Sequence, residues 1–222
     1  MVYSDPVIEA MRSKVPATSK GEATRAFLLR VAARVFAERG YGATTQNELI
    51  AASGLTKGAF YFYFPSKRDL ALAVLEDQQG RWLSQVGERV LAQAGAAARL
   101  RTLVHAMLEL IAAEPGAWSA TRLTRELAAD PEVADLVRAP MSRWVEFVAG
   151  LVRDGQAAGE LRSGLDPVTV ATVLVGAFDG LKSLTDVLEP AEDVAGRFAE
   201  RARTLLAVVE LALLTEPPPS GA

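Results

Sequence analysis

The chain has 222 residues, half of them apolar and 23% charged, with no cysteine and a formal net charge of -3. That length is ample for a buried core in one large or two small domains, and the missing cysteines exclude a disulfide framework, thiol catalysis and a cysteine-ligated zinc site. No apolar run approaches the roughly 20 residues that span a bilayer, and the N-terminus lacks the apolar core of a signal peptide, so the composition reads as a soluble, cytoplasmic protein with no membrane partner.

Charge is unevenly distributed. Residues 1–70 carry ten Lys+Arg against six Asp+Glu, and the remaining 152 carry fourteen against twenty-one. A basic N-terminal third on an acidic body suits a nucleic-acid reader with a separate, non-binding domain. Almost every long segment has helix-forming composition and apolar residues recurring at three and four, so the fold is expected to be all-α.

Residues 1–18 contain two prolines and no clear period, and are read as a flexible arm. Ser19-Lys-Gly-Glu22 has the pattern of a capping box. It opens a first helix to about Arg39, with Phe27, Val31, Val35 and Phe36 along one stripe and Gly40 as a left-handed stop. A second box at Thr45-Gln-Asn-Glu48 opens a short helix ending near Gly54, and Thr56 caps another through about Tyr63. Pro65 interrupts, and Ser66-Lys-Arg-Asp69 begins a longer helix towards position 92. Short helix, glycine-marked turn, short helix is the outline of a helix-turn-helix.

Within TKGAFYFYFPSKRDL (56–70), five of the chain's fifteen aromatics occupy five consecutive positions. If Thr56 caps the second helix of a helix-turn-helix, Lys57, Gly58 and Ala59 form the turn that meets base edges in the major groove. Lys57 can donate to guanine, the two small residues allow close approach, and the Thr56 hydroxyl with the free N–H groups suits a phosphate. Phe60 and Phe64, four apart, share a face that packs inward. Tyr61, Tyr63 and Lys67 can reach phosphates. Phe62 is open between the two roles.

Beyond residue 95, glycines and prolines delimit helices near 97–113, 117–129, 132–158 (with a break possible at Pro140), 166–187 and 191–214. The helix at 167–187 is apolar and small round most of its circumference, which fits either a central core helix or a helix shared with a second subunit. Ala171, Val175, Gly176 and Gly180 of this helix, with Leu205, Val209 and Leu213 of the last, are the expected contact residues in the second case. Large or polar groups set in aliphatic helices mark a possible small-molecule pocket: His105, Met107, Trp118, Arg122, Trp144, Phe147, Phe178 and Asp179. His105, the sole histidine, also fits a purely structural place. The segment 216–222 is read as a disordered tail.

The run AARVFAERGYGATTQNELIAASGLTKGAFYFYFPSKRDLALAVL resembles the DNA-binding region of the tetracycline-repressor (TetR) family of bacterial transcriptional regulators. The resemblance covers residues 24–75 and rests on F-x-x-x-G-Y-x-x-T-T, A-x-G-L-T-K-G and Y-x-Y-F-x-S-K-x-x-L in the family's order. It implies a three-helix DNA-binding domain at 19–66 and a larger effector-binding and dimerisation domain at 67–215. By the resemblance, the DNA contacts fall on Thr45, Gln46, Thr56, Lys57, Gly58, Ala59, Tyr61, Tyr63 and Lys67, with Asn47 beside Gln46 where some members reach DNA. Tyr63 stands where some relatives have histidine, which leaves the operator sequence open.

The resemblance further implies a homodimer through the last two helices, a palindromic double-stranded operator, and a small hydrophobic or amphipathic effector that releases a repressor. A narrower similarity to the gamma-butyrolactone receptors of actinomycetes rests on YFYFPSKRDLALAVLE, RLTRE and Trp144, where that subgroup has a ligand-facing tryptophan. Two alternatives are a DNA-binding regulator without an effector and an all-helical enzyme. Against the enzyme, the chain has no H-E-x-x-H cluster, no phosphate-cradling glycine loop and no cysteine nucleophile, so neither catalytic residues, metal nor cofactor are expected.

Overall fold

A computed structural model describes residues 19–113, 115–190 and 192–215, with the backbone alone for 115–121. The arm at 1–18 and the tail at 216–222 lie outside the described residues. Among the described residues there are nine helices: α1 (Ser19–Arg39), α2 (Gln46–Ser53), α3 (Lys57–Tyr63), α4 (Lys67–Leu91), α5 (Ala96–Ala113), α6 (Pro115–Ala128), α7 (Ala134–Ala157), α8 (Pro167–Leu188) and α9 (Val194–Leu213). The all-α expectation holds.

Local signals account for the boundaries of the first four. α1 ends at Gly40, whose φ of 81° is the left-handed conformation that glycine adopts without a Cβ clash. Thr45 closes a reciprocal box with Glu48, its Oγ1 accepting from the Glu48 N–H while the glutamate accepts from the Thr45 N–H. Gly54, with φ 66°, stops α2. Thr56 accepts from the Ala59 N–H and Ser66 from the Asp69 N–H, so α3 and α4 each begin on a side-chain cap. Each such cap stabilises its helix by about 1 kcal/mol.

These helices close round one apolar cluster of Leu28, Val35 and Phe36 from α1, Leu49 from α2, Phe60 and Phe64, and Leu70 and Val74 from α4. Phe27, expected on the α1 stripe, is turned outward, and Leu28 takes the inward place. The cluster does not stop at residue 66: Leu123 and Leu127 of α6 and Val137 of α7 are part of it. A second cluster joins Val86 and Val90 of α4, Met107 and Leu110 of α5, Val148 of α7, Phe178 of α8 and Phe198 of α9. The Phe178 and Phe198 rings meet edge to face at 5.1 Å. A third, at the far end, holds Ala96, Leu100, Val152, Leu161, Leu206 and Leu213.

Two expectations are corrected. α7 runs as one helix through Pro140, which is itself buried along with Val137, so the possible break does not end it. α8 is long and apolar enough to cross a membrane, its most apolar window having a mean hydropathy of 1.3, although no such run was expected. Its inward face carries Ala171, Phe178, Lys182 and Thr185. The outward face carries Val173, Leu184, Val187 and Leu188, and α9 adds exposed Val208 and Leu211 beside it, with Val187 and Leu211 each 81% exposed.

That arrangement divides the expected contact residues. Ala171 and Leu213 are buried inside their own chain, and the half-buried Val175, Leu205 and Val209 line a partly open cavity. Gly176 and Gly180 have open space among the described residues where a Cβ would stand. A helix apolar all round has no periodic signal to say which face turns inward.

Candidate nucleic-acid interface and ligand cavity

α3 is seven residues long, too short to persist without an anchor. Phe60, with 0% exposure, is that anchor, and Phe64 follows it inward as the C-cap. At 100° per residue, the point opposite Phe60 falls between Gly58 and Phe62. Both are exposed, Phe62 at 63%. The outermost face of α3 is therefore Lys57, Gly58, Tyr61 and Phe62, with the Lys57 ammonium 5.9 Å from the Tyr61 ring centroid. This resolves the open place of Phe62: it stands outside the core, its ring meeting that of Tyr63 edge-on at 5.2 Å.

The other residues named from sequence are distributed as follows. Thr45 and Asn47 are exposed at the start of α2, with half-buried Gln46 between them. Thr56 is exposed, Ala59 is half-buried, and Tyr63 leans against the core cluster. Lys67 does something the sequence did not indicate. Its Nζ donates to the carbonyls of Tyr41 at 2.9 Å and Thr44 at 2.7 Å, and sits 4.2 Å from the Tyr41 ring centroid. Burial lowers its pKa, partly offset by Glu126. Two of its three donors thus hold the α1–α2 turn.

α6 meets the same turn. Glu126 Oε2 accepts from the Gly42 N–H at 2.9 Å and its Oε1 from Arg122 at 2.8 Å. Burial would raise the Glu126 pKa, but these donors outweigh it and hold the carboxyl below its ordinary range. Arg68, at the start of α4, bridges Asp130 at 3.1 Å and Glu132 at 2.5 Å beyond the end of α6. Two helices, α4 and α6, therefore tie the α1–α3 unit to the rest of the chain.

Two residues before Glu126, Thr124 lines a partly open cavity of about 120 Å³ among helices α4 to α9. A single water centre needs roughly 10–15 Å³ of such space, so the cavity has room for a small organic molecule. Of the eight residues named from sequence, Met107, Trp144, Phe178 and Asp179 line it. Phe147 stands behind the wall, stacked on Trp144 with ring centroids 5.6 Å apart. His105 is exposed, its Nδ1 2.7 Å from the Arg101 carbonyl oxygen, and Arg122 is at the Glu126 contact, so neither lines the cavity. The Trp118 side chain lies outside the described residues.

Sequence reasoning passed over Gln78, Gln79 and Trp82 of α4 and Lys182 of α8, all in the wall. Lys182 had a legible signal, a lone cation in the run VATVLVGAFDGLKSL. It is 2% exposed, and burial pushes its ammonium down to about 8, against the raising effect of Asp179 and Asp186. The folded-state pKa lies below the unfolded value, so between about 8 and 10.5 the unfolded chain binds more protons and stability rises with pH. Chemical denaturation should show wild type gaining roughly 2–4 kcal/mol relative to Lys182→Met across that window. Equal pH slopes for the two proteins would contradict the burial of a charged Lys182.

Comparison with known proteins agrees with this architecture. Residues 28–74 match the family model for bacterial regulatory proteins of the tetR family, and residues 96–210 match the C-terminal domain of BetI-type transcriptional repressors. The A-factor receptor protein of Streptomyces griseus is 27% identical over 185 residues, 81% of this chain and 61% of that protein. The structure of full-length TylP, a TetR regulator from Streptomyces fradiae, is 33% identical with a TM-score of 0.68, covering 89% of each chain. A structure described as the molecular basis for control of antibiotic production by bacterial hormones is 30% identical with a TM-score of 0.70, covering 87% of this chain and 98% of that one. With one family model over its helix-turn-helix and another over more than half its length, the chain belongs to the TetR family of bacterial regulatory proteins.

Proposed function

We propose that this regulator is a homodimeric repressor that binds a palindromic operator through α3 and is released when a small amphipathic molecule enters the cavity. The observation that carries it is the path from one site to the other. Thr124 lines the cavity, Leu123 and Leu127 belong to the core beneath α3, and Glu126 holds the Gly42 N–H. A molecule that shifts α6 by a fraction of a turn moves the support of the reading helix. The effector need favour one arrangement by only about 1–3 kcal/mol to change operator affinity 5- to 150-fold.

Residues 19–66 are the DNA-binding unit and 67–215 the effector and dimerisation unit, with the first half of α4 shared between their cores. Lys57, Gly58, Tyr61 and Phe62 form the reading face. Thr45, Gln46, Asn47, Thr56, Ala59 and Tyr63 flank it and contact the backbone. Phe62 supplies an apolar ring for a thymine methyl. The exposed face of α8 and α9 is covered by a second copy, which sets two α3 helices about 34 Å apart. The setting is the cytoplasm, where the operator is. The cavity favours this reading over a regulator without an effector.

The test begins with duplexes selected from a random pool by the purified protein. Lys57→Ala is expected to weaken the selected duplex about 10- to 100-fold, one lost base contact being worth about 1–3 kcal/mol. Tyr61→Phe should weaken it several-fold through a lost phosphate contact, with a shallower salt dependence. Unchanged affinity in both variants would sink the assignment of α3 as the reading helix.

A further inference from the structure

Polarity is gathered at one end of the cavity. Gln78 and Gln79, Thr124, Asp179 and Lys182 line it there. Thr124 precedes Arg125, whose Nη2 donates to the Ser183 hydroxyl beside Lys182 at 2.5 Å, so the polar parts of α6 and α8 adjoin. On α4, Gln78 and Gln79 come before Trp82 and Leu83, towards the DNA-binding unit. The opposite end is aliphatic: Leu100, Leu174, Leu206 and Val209 line it and belong to or pack on the far apolar cluster.

Two charges of opposite sign stand at the polar end. Asp179 and Lys182 are three apart on α8 and so share a face. Asp186 and Arg125, the other charges acting on Lys182, are exposed to water and screened. Among the described residues that line the cavity the balance is one cation and one carboxylate. Gln79 adds a buried Oε1 with no hydrogen-bond partner among the described residues, a further acceptor for a ligand N–H or O–H.

We propose that the cavity selects an uncharged amphiphile whose head group carries both a carbonyl oxygen, facing Lys182, and an N–H or O–H, facing Asp179 and Gln79, with an aliphatic tail towards Leu100 and Leu206. A carboxylate head would meet Asp179 and an ammonium head would meet Lys182, each repelled at contact distance by the like charge. A neutral head with both functions offers each of the two a further hydrogen bond without adding a charge to the cavity. This rests on reading the cavity as the effector site.

Three probes of one tail length separate the possibilities: decanamide, decanoate and decylammonium, titrated at pH 7 with the emission of Trp82 and Trp144 in the cavity wall as readout. Wild type is expected to bind decanamide about tenfold more tightly than either ion, the cost of an unfavourable buried charge contact being at least about 1.4 kcal/mol. Lys182→Met should shift preference to decylammonium, and Asp179→Asn to decanoate, with melting curves showing both variants folded. A purely structural lysine would leave these preferences unmoved. Binding of all three without discrimination, or preferences unchanged in both variants, overturns the proposal while keeping the cavity as an amphiphile site. Failure of all three to bind wild type overturns both.

Discussion

Replacing Leu184 and Leu211 together by glutamate is expected to leave the protein monomeric and to abolish tight operator binding. Both residues are exposed in the single chain, on the outward faces of α8 and α9 with Val173, Val187, Leu188 and Val208. An apolar surface of that extent on two adjacent long helices marks an interaction site. The small-residue stripe Gly176, Ala177 and Gly180 in the same face lets another backbone approach closely, none of the described residues occupying that space at either glycine. In the proposed dimer both helices would pair with their copies in a four-helix contact, and a stable dimer needs above about 1,000 Å² of buried surface.

Each substitution buries a carboxylate without a partner at that contact, and the two-fold axis doubles the number. Each truncated or unpaired charge at an interface core costs roughly 2–5 kcal/mol, so the dimer constant should rise at least a thousandfold. Light scattering at micromolar concentration reads the mass directly. Operator binding falls with it, because one half-site alone offers half the contacts. A dimer that persists in the double variant would place the interface elsewhere. Val175→Glu or Leu205→Glu would disrupt the cavity wall instead, and should show as lost thermal stability.

The second large effect is expected at Phe60. Phe60→Ala removes a fully buried ring from the cluster that α1, α3, α4 and α6 share, and such truncations cost about 3–5 kcal/mol. Because α3 has only seven residues, its helical form depends on that anchor. Operator binding should therefore be lost at temperatures where far-UV circular dichroism still shows most of the helix content and light scattering still shows a dimer. Phe62→Ala, on the opposite side of the same helix, should leave the melting temperature within experimental error and change only DNA affinity. Equal destabilisation by the two substitutions would mean that the assignment of inner and outer faces of α3 is wrong.

These contrasts show where the sequence was readable. The split between Phe60 and Phe64 on one side and Lys57 and Tyr61 on the other follows from a cap at Thr56 and a period of 3.6, both set within a few residues. The boundaries at Gly40, Thr45, Gly54 and Ser66 were legible for the same reason. Lys67 was not: its partners are the carbonyls of Tyr41 and Thr44, more than twenty residues earlier, and a lysine beside a recognition helix has equal claim to a phosphate. Arg122 is a similar case, a cation of α6 whose place is fixed by Glu126 and by the close passage of Gly40.

The sequence alone determined the all-helical class, the helix-turn-helix, the resemblance to TetR regulators, the caps of α2, α3 and α4 and the glycines that stop α1 and α2, because those signals act over one or two turns. The tertiary structure decided which face of α8 turns inward, which of the scattered aromatic and polar residues meet in one cavity, and that Lys182 is enclosed there with Asp179. Those outcomes depend on which helices pack together across the chain, and a helix apolar on every side carries no local record of that choice.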